Sequence, residues 1–145
     1  MKDKKEMKSI EEIKHSFAKD RFATEAAGIE IERAETGYAF CRMKLDAIHR
    51  NARNGVMGGA IFTLADFSVA VAANGHKENP DTVTLHAGIT FLSPAKGKQL
   101  ICEATCLKAG RTASLYEAVV TDEVGTQVAR ASVNCFTVQP INEGK

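Results

Sequence analysis

Asp66 sits near the middle of a run, Gly58 to Ala73, in which only Thr63, Asp66 and Ser68 interrupt apolar or small residues. A helix that is apolar on nearly every side belongs inside a protein. An unpaired carboxylate buried there is destabilising or shifts its pKa, so a retained one is a candidate general base or nucleophile. The run opens on Gly58-Gly59. Two glycines at a helix start expose backbone N–H groups, and the helix dipole adds partial positive charge there, a combination suited to a developing negative oxygen. Asp66 follows Gly58 by eight residues, two turns further on and on roughly the same side of the helix. The plainer alternatives are a structural acid paired with Asn51 or with backbone amides, and glycines that only permit close helix–strand packing.

The elements that must position these groups can be read from periodicity. Met7, Ile10, Ile13 and Phe17 fall on one stripe of an amphipathic helix within residues 1–20. Ser9 and Glu12 form a capping box that starts it at Ile10. A membrane-surface helix is the sharper reading of this segment, and the lack of a dense basic face argues against it. From Gly28 the period changes to two. Ile29 to Glu32 and Tyr38 to Leu45 form a hairpin around Thr36-Gly37. The polar loop Asn51-Ala52-Arg53-Asn54-Gly55 leads into the long helix, which ends at Asn74-Gly75.

Four strand-like runs follow. In the first, Val83, Leu85, Ala87, Ile89 and Phe91 share one face, and Leu92 to Gly97 breaks it. Gln99–Leu107, Thr112–Thr121 and Thr126–Val138 are the other three, joined by turns at 108–111 and 122–125. The order predicts an α+β fold, an antiparallel sheet ending in a four-stranded meander and wrapped around one helix. Residues 21–140 make up that domain behind the N-terminal helix, and Pro140 and Gly144 mark a frayed end.

Composition narrows the classes of function. Nineteen basic and eighteen acidic residues give a net charge of +1, which leaves no electrostatic footprint for nucleic acid. Cys41, Cys102, Cys106 and Cys135 make no CxxC pair and no Cys/His cluster at zinc-ligand spacing, so no metal site is expected. The opening, MKDKKEMKSIEE, is charged and has no apolar core of a secretory leader. These features point to a reducing cytoplasm, with cysteines acting as small core hydrophobes. The central helix is short for a membrane span and carries Asp66 at its centre.

The stretch NARNGVMGGAIFTLAD (residues 51–66) resembles the signature of the PaaI-like acyl-CoA thioesterases, a hotdog-fold family. That pattern is roughly Asn-x-x-Gly-x-x-His-Gly-Gly, with an acid seven residues after the second glycine. Asn51, Gly58, Gly59 and Asp66 match it, while Asn54 and Met57 stand where the first glycine and the histidine usually are. ITFLSPAKG (89–97) and KAGRT (108–112) also resemble the family's strand and turn. The left-handed conformation is more open to Asn than to other non-glycine residues, so Asn54 is a mild departure. The loss of the imidazole at Met57 should tune the site.

The resemblance implies a hotdog fold with sites shared between two chains of a homodimer or homotetramer. It implies hydrolysis of an acyl-CoA with no cofactor beyond the substrate's own coenzyme A. Gly58 would supply the oxyanion amide, and Asp66 would activate water or attack. Thr84, on a strand of the partner chain, would orient the water. Asn51 would hold the water or the carbonyl. Met57 and Gly59 would line the substrate, and Lys96, Lys108 and Arg111 would meet coenzyme A phosphates; ordinary solvated charge is the alternative for the last two. His49, just before the loop, could substitute for the missing imidazole, although a plain loop residue is the simpler reading. A non-catalytic acyl-CoA binder is the main rival, motivated by Met57. A hotdog hydratase ranks last, because its Asp/His pair ahead of the helix has no counterpart.

Overall fold

The computed structural model of the protein describes residues 7–138. The first residues expected in the N-terminal helix, the end of the 21–140 domain, and Pro140 and Gly144 lie outside them.

Helix α1, Ile10–Phe17, starts where the capping box put it. Ser9 Oγ accepts from the Glu12 amide, and the Glu12 carboxylate accepts from the Ser9 amide. Its apolar stripe turns inward: Ile13 is fully buried, and the Phe17 ring meets Phe67 edge to face at 5.6 Å. The helix is a flank of the core. A π-helical turn, Phe22–Ala26, leads to strand β1, Ile29–Glu35, and β2, Tyr38–Lys44. A 3-10 turn, Ala47–His49, precedes the polar loop, and helix α2 runs from Gly58 to Asn74. Strands β3 (Thr82–Phe91), β4 (Gln99–Ala109), β5 (Ala113–Asp122) and β6 (Gln127–Thr137) complete the chain.

All six strands form one antiparallel sheet in the order β1-β2-β4-β5-β6-β3. This corrects the expected four-stranded meander. Only β4, β5 and β6 follow one another; β3 lies at the far edge beside β6, and β4 pairs with β2 instead. The break at Leu92 to Lys98, which contains Pro94, carries the chain across the sheet rather than into a hairpin.

The sheet curls around α2, whose Leu64, Ala65, Val69 and Val71 are completely buried against it. Each large aliphatic side chain buried in this way contributes on the order of 1.5–3 kcal/mol. Cys41 and Cys102, cross-strand partners on β2 and β4, are sealed in the same core. Burial pushes their thiols up, to about 11 and about 12, so both stay protonated core residues.

Two expectations fail at the open edge. The five residues assigned to one apolar face of β3 divide: Ala87 and Ile89 pack against the core, whereas Val83, Leu85 and Phe91 are 49%, 71% and 51% exposed. A bulge between Thr84 and His86 offsets the strand there. Helix α2 is also not closed on all sides, since Gly59 is exposed and Phe62, Thr63, Asp66, Ala70 and Ala73 are only partly covered. The helix end is set by a side chain. Asn74 Oδ1 accepts from the Thr82 amide at 3.0 Å, and its Nδ2 donates to the Thr82 carbonyl at 2.9 Å.

Candidate active site

The carboxylate stands on the partly open face of α2, half-buried rather than enclosed. Thr84 Oγ1 donates a 2.8 Å hydrogen bond to Asp66 Oδ1. That contact lies within one chain, whereas the expected hydroxyl belonged to a partner. It directs the Asp66 charge toward the exposed β3 edge and occupies only one carboxylate oxygen. Cys135, the register partner of Thr84 on β6, completes the immediate wall. Burial first, and then the Asp66 charge, push its thiol up, so it stays protonated beside the carboxylate.

The helix start is the second centre. Met57 occupies the N-cap position and makes no side-chain cap. Its carbonyl accepts from Ala60 and Ile61, and among the described residues the Gly58 and Gly59 amides have no partner. Free N–H groups at a helix N-terminus, with the dipole behind them, form a ready anion site. Close packing favours glycine there as well. A Cβ on Gly58 would stand 3.1 Å from Phe91 Cζ, and one on Gly59 would stand 3.3 Å from Met57 Cε. The two readings of the glycine pair therefore coexist.

The loop before the helix is built by Asn51. Its Oδ1 accepts from the Arg53 and Gly55 amides at 2.9 and 3.0 Å, and its main chain brackets Gly55 and Asn54. Asn54 takes φ +64, the left-handed conformation expected of a residue standing in for glycine. A cavity of about 630 Å³ opens beside this loop, with Arg50, Arg53, Gly58, Phe91 and Pro94 among its walls.

The nine residues singled out in sequence fall into two groups. Asn51, Met57, Gly58 and Gly59 cluster at the start of α2, with Lys96 next to the cavity wall at Ala95. Asp66, at the middle of α2, and Thr84, bonded to it, make the second group. Lys108 and Arg111 belong there too, because Ala109 pairs with Ser114, Ser114 with Cys135 and Cys135 with Thr84. Three strand spacings make that separation about 14 Å. Eight residues of helix put Gly58 and Asp66 about 12 Å apart along the axis. One carbonyl cannot touch both within a single chain.

Three residues carry structure that the sequence reading did not assign. His49 is buried: its Nδ1 accepts from the Asp46 amide at 2.9 Å and its Nε2 donates to the Ala27 carbonyl at 2.7 Å. It braces the loop and does not replace the missing imidazole. His49→Ala strands one donor and one acceptor, at about 1–3 kcal/mol each. A melting midpoint lower by roughly 6–12 °C is the expected reading of a thermal scan. An unchanged midpoint would remove the brace.

Asp122 is buried and accepts from the Lys96, Gly97, Val124 and Thr126 amides at 2.8–3.2 Å. Glu123 accepts from the Lys98 and Gln99 amides, and its carboxylate lies where a Cβ on Gly97 would be. Together they fasten the 94–99 segment behind the cavity. Adjacent acids in a turn look solvent-facing in sequence, and only the fold brings loop 94–99 to them.

Among the described residues no group of His, Cys, Asp and Glu is arranged to hold a metal ion. Among the described residues no helix is long and apolar enough to cross a membrane.

Comparison with known proteins agrees with this architecture. The profile of the thioesterase superfamily matches residues 54–129. Human acyl-coenzyme A thioesterase 13 is 29% identical over 117 residues, covering 79% of this chain and 84% of its own. The PaaI protein of the E. coli phenylacetic acid degradation operon superposes with a TM-score of 0.79 at 22% identity, over 90% of this chain and 94% of its own. A hypothetical thioesterase from Streptococcus pneumoniae, solved with coenzyme A, gives 0.76 at 23% identity, over 88% and 98%. With the profile spanning the helix start, Asp66, Thr84 and the strands that carry them, the chain belongs to the thioesterase superfamily and is a hotdog-fold thioester hydrolase.

Proposed function

We propose that the protein hydrolyses acyl-CoA thioesters at a site completed by two copies of the chain. The observation that carries this reading is the separation of Gly58 from Asp66, with each only partly covered by its own chain. Among the described residues nothing pairs with the outer edge of strand β3, which is flanked by exposed Val83, Leu85 and Phe91. Such an edge is a template for pairing. Two copies joined antiparallel through β3 set their α2 helices side by side in opposite directions. A pair centred on Phe62 puts residue 58 of one copy opposite residue 66 of the other, which reunites amides and carboxylate around one carbonyl.

In that site the Gly58 amide, with Gly59 beside it, stabilises the oxygen that becomes negative as the carbonyl is attacked. Asp66, oriented by Thr84, takes a proton from water through its free oxygen. The water oxygen bonds to the carbonyl carbon, the carbon–sulfur bond breaks, and the proton passes to the departing thiolate. Asn51 has its Nδ2 free to reach the carbonyl or the water, since its Oδ1 is committed to the loop. Arg50 and Arg53 beside the cavity, with Lys96, Lys108 and Arg111, offer cations for the phosphates of coenzyme A. No cofactor is required, and the setting is cytoplasmic.

Thiol trapping with a panel of acyl-CoAs tests the reading. The wild type should release free coenzyme A. Thr84→Val, which removes the bond to Asp66, should slow kcat by about 10- to 100-fold, the worth of one hydrogen bond to a charged group. Release of no thiol from any substrate, with melting raised by the same esters, would instead support a non-catalytic acyl-CoA binder. That reading is favoured by Met57, whose side chain offers no proton or N–H.

A further inference from the structure

Strand β3 changes faces partway along. Ala87, Ile89 and Phe91 stand opposite Val133, Ala131 and Ala129, all three buried, so these odd-numbered residues point at α2. Strict alternation would turn Thr84 outward with His86, Gly88 and Thr90. The bulge between Thr84 and His86 absorbs Leu85 and puts Thr84 opposite buried Cys135 on the inner face. A one-residue bulge beside an active site re-aims a side chain. Here it delivers a hydroxyl to Asp66 and sets a thiol against that hydroxyl.

The two contacts of that hydroxyl run in one direction. A carboxylate only accepts, so the single Thr84 proton goes to Asp66 Oδ1 at 2.8 Å and leaves the Thr84 oxygen with lone pairs to fill. The Cys135 thiol lies in hydrogen-bonding contact with the hydroxyl and, being protonated, has a hydrogen to give. We propose that Cys135 is a positioning residue: its S–H donates to Thr84 Oγ1 and holds the hydroxyl in the rotamer that points at Asp66. The role rests on the thioesterase reading above and deepens it, because the orientation of the carboxylate decides where its free oxygen meets water. Threonine has three staggered positions about χ1, and Thr84 is exposed, so a hydroxyl without a second partner would turn toward solvent. A donor fixed in the sheet removes that freedom before substrate arrives, and hydrogen bonds in a row strengthen one another. In this role the thiol is neither nucleophile nor redox centre and acts only through Thr84.

The experiment compares kcat and KM for Cys135→Ala, Cys135→Ser, Thr84→Val and the double variant Cys135→Ala/Thr84→Val, with the acyl-CoA that the wild type turns over best. Cys135→Ala should lower kcat about three- to tenfold with KM unchanged, as expected for one neutral hydrogen bond. Cys135→Ser keeps a donor in place and should restore kcat to within about twofold of wild type. In the Thr84→Val background Cys135→Ala should bring no further loss, since the contact is already gone. Infrared difference spectra read the contact directly. The S–H stretching band that Cys135→Ala removes should move to higher frequency in Thr84→Val, as for a thiol that has lost its acceptor.

A thiol that merely fills space predicts the opposite: equal losses in both backgrounds and no rescue by serine. Either result, a wild-type kcat in Cys135→Ala, or a band that Thr84→Val leaves in place overturns the role of Cys135 while the thioesterase reading stands. A wild type that releases no thiol from any acyl-CoA overturns both.

Discussion

Asp66→Asn should retain the fold and lose between about 10²- and 10⁴-fold in kcat, with little change in KM. Asparagine keeps an oxygen that can accept the Thr84 hydroxyl, so the contact between α2 and β3 survives. What disappears is the charge and the capacity to accept a proton from water. Thiol trapping measures the loss, and matching melting curves establish that the protein is intact. Turnover within threefold of wild type would remove Asp66 from the mechanism.

The same variant can report whether sites are shared. Gly58→Val places side-chain atoms against the Phe91 ring, which a single Cβ already approaches to 3.1 Å, and should silence the amide half. Co-expression of the two inactive chains then yields mixed dimers in which one site carries both changes and the other neither. With random pairing, activity should return to about a quarter of wild type. Continued silence would place amide and carboxylate of each site in one chain.

The largest expected effect on stability is at Asp122. Asp122→Ala leaves the amides of Lys96, Gly97, Val124 and Thr126 without their acceptor. Water will reach some of them, so the loss is about 3–5 kcal/mol rather than four full hydrogen bonds. A melting midpoint lower by roughly 10–15 °C should follow. Asp122→Asn should fall between, because one oxygen still serves Val124 and Thr126 while its NH₂ opposes Lys96 and Gly97.

Acid gives an independent reading. Burial alone would raise the Asp122 pKa, but the amides of Lys96, Thr126 and Gly97 outweigh it and hold the carboxyl well below the usual range. The folded pKa is therefore below that of the unfolded chain, about 3.9. The stabilisation is complete above that value and is lost as the pH falls below it. Wild-type melting should drop in that acid range, and Asp122→Ala should show a shallower drop. Parallel curves would assign the acid loss to other carboxyl groups.

The elements with local signals were legible in the sequence. The Ser9–Glu12 box, the Thr36-Gly37 hairpin, the apolar run from Gly58 and the turns at 108–111 and 122–125 each rest on contacts within a few residues, and each occurs. The Asn54 backbone was legible for the same reason. Strand order was not, because periodicity records faces and not neighbours. The choice of β6 over β4 as the partner of β3 depends on how the sheet closes around α2.

The environment of Asp66 was misjudged for a related reason. An apolar helix implies a covered one, but the pattern cannot say whether the cover comes from the same chain or from another. Thr84 was assigned through a resemblance, and the hydrogen bond it makes was beyond the reach of spacing alone. His49 and Asp122 are anchored to Ala27 and to loop 94–99, which are distant in sequence and adjacent only once folded.

The two hydrogen bonds between Asn74 and Thr82 act as a staple beneath the reactive pair. Strand β3 leaves the helix at a fixed point, two residues ahead of Thr84, whatever the intervening chain does. His76 and Lys77 are tied down by Ala34 and Asp81, whereas Glu78, Asn79 and Pro80 are exposed. Length at 78–80 is thereby uncoupled from reactivity: inserted residues lengthen a closed loop at small entropic penalty and leave the carboxylate and its hydroxyl in register.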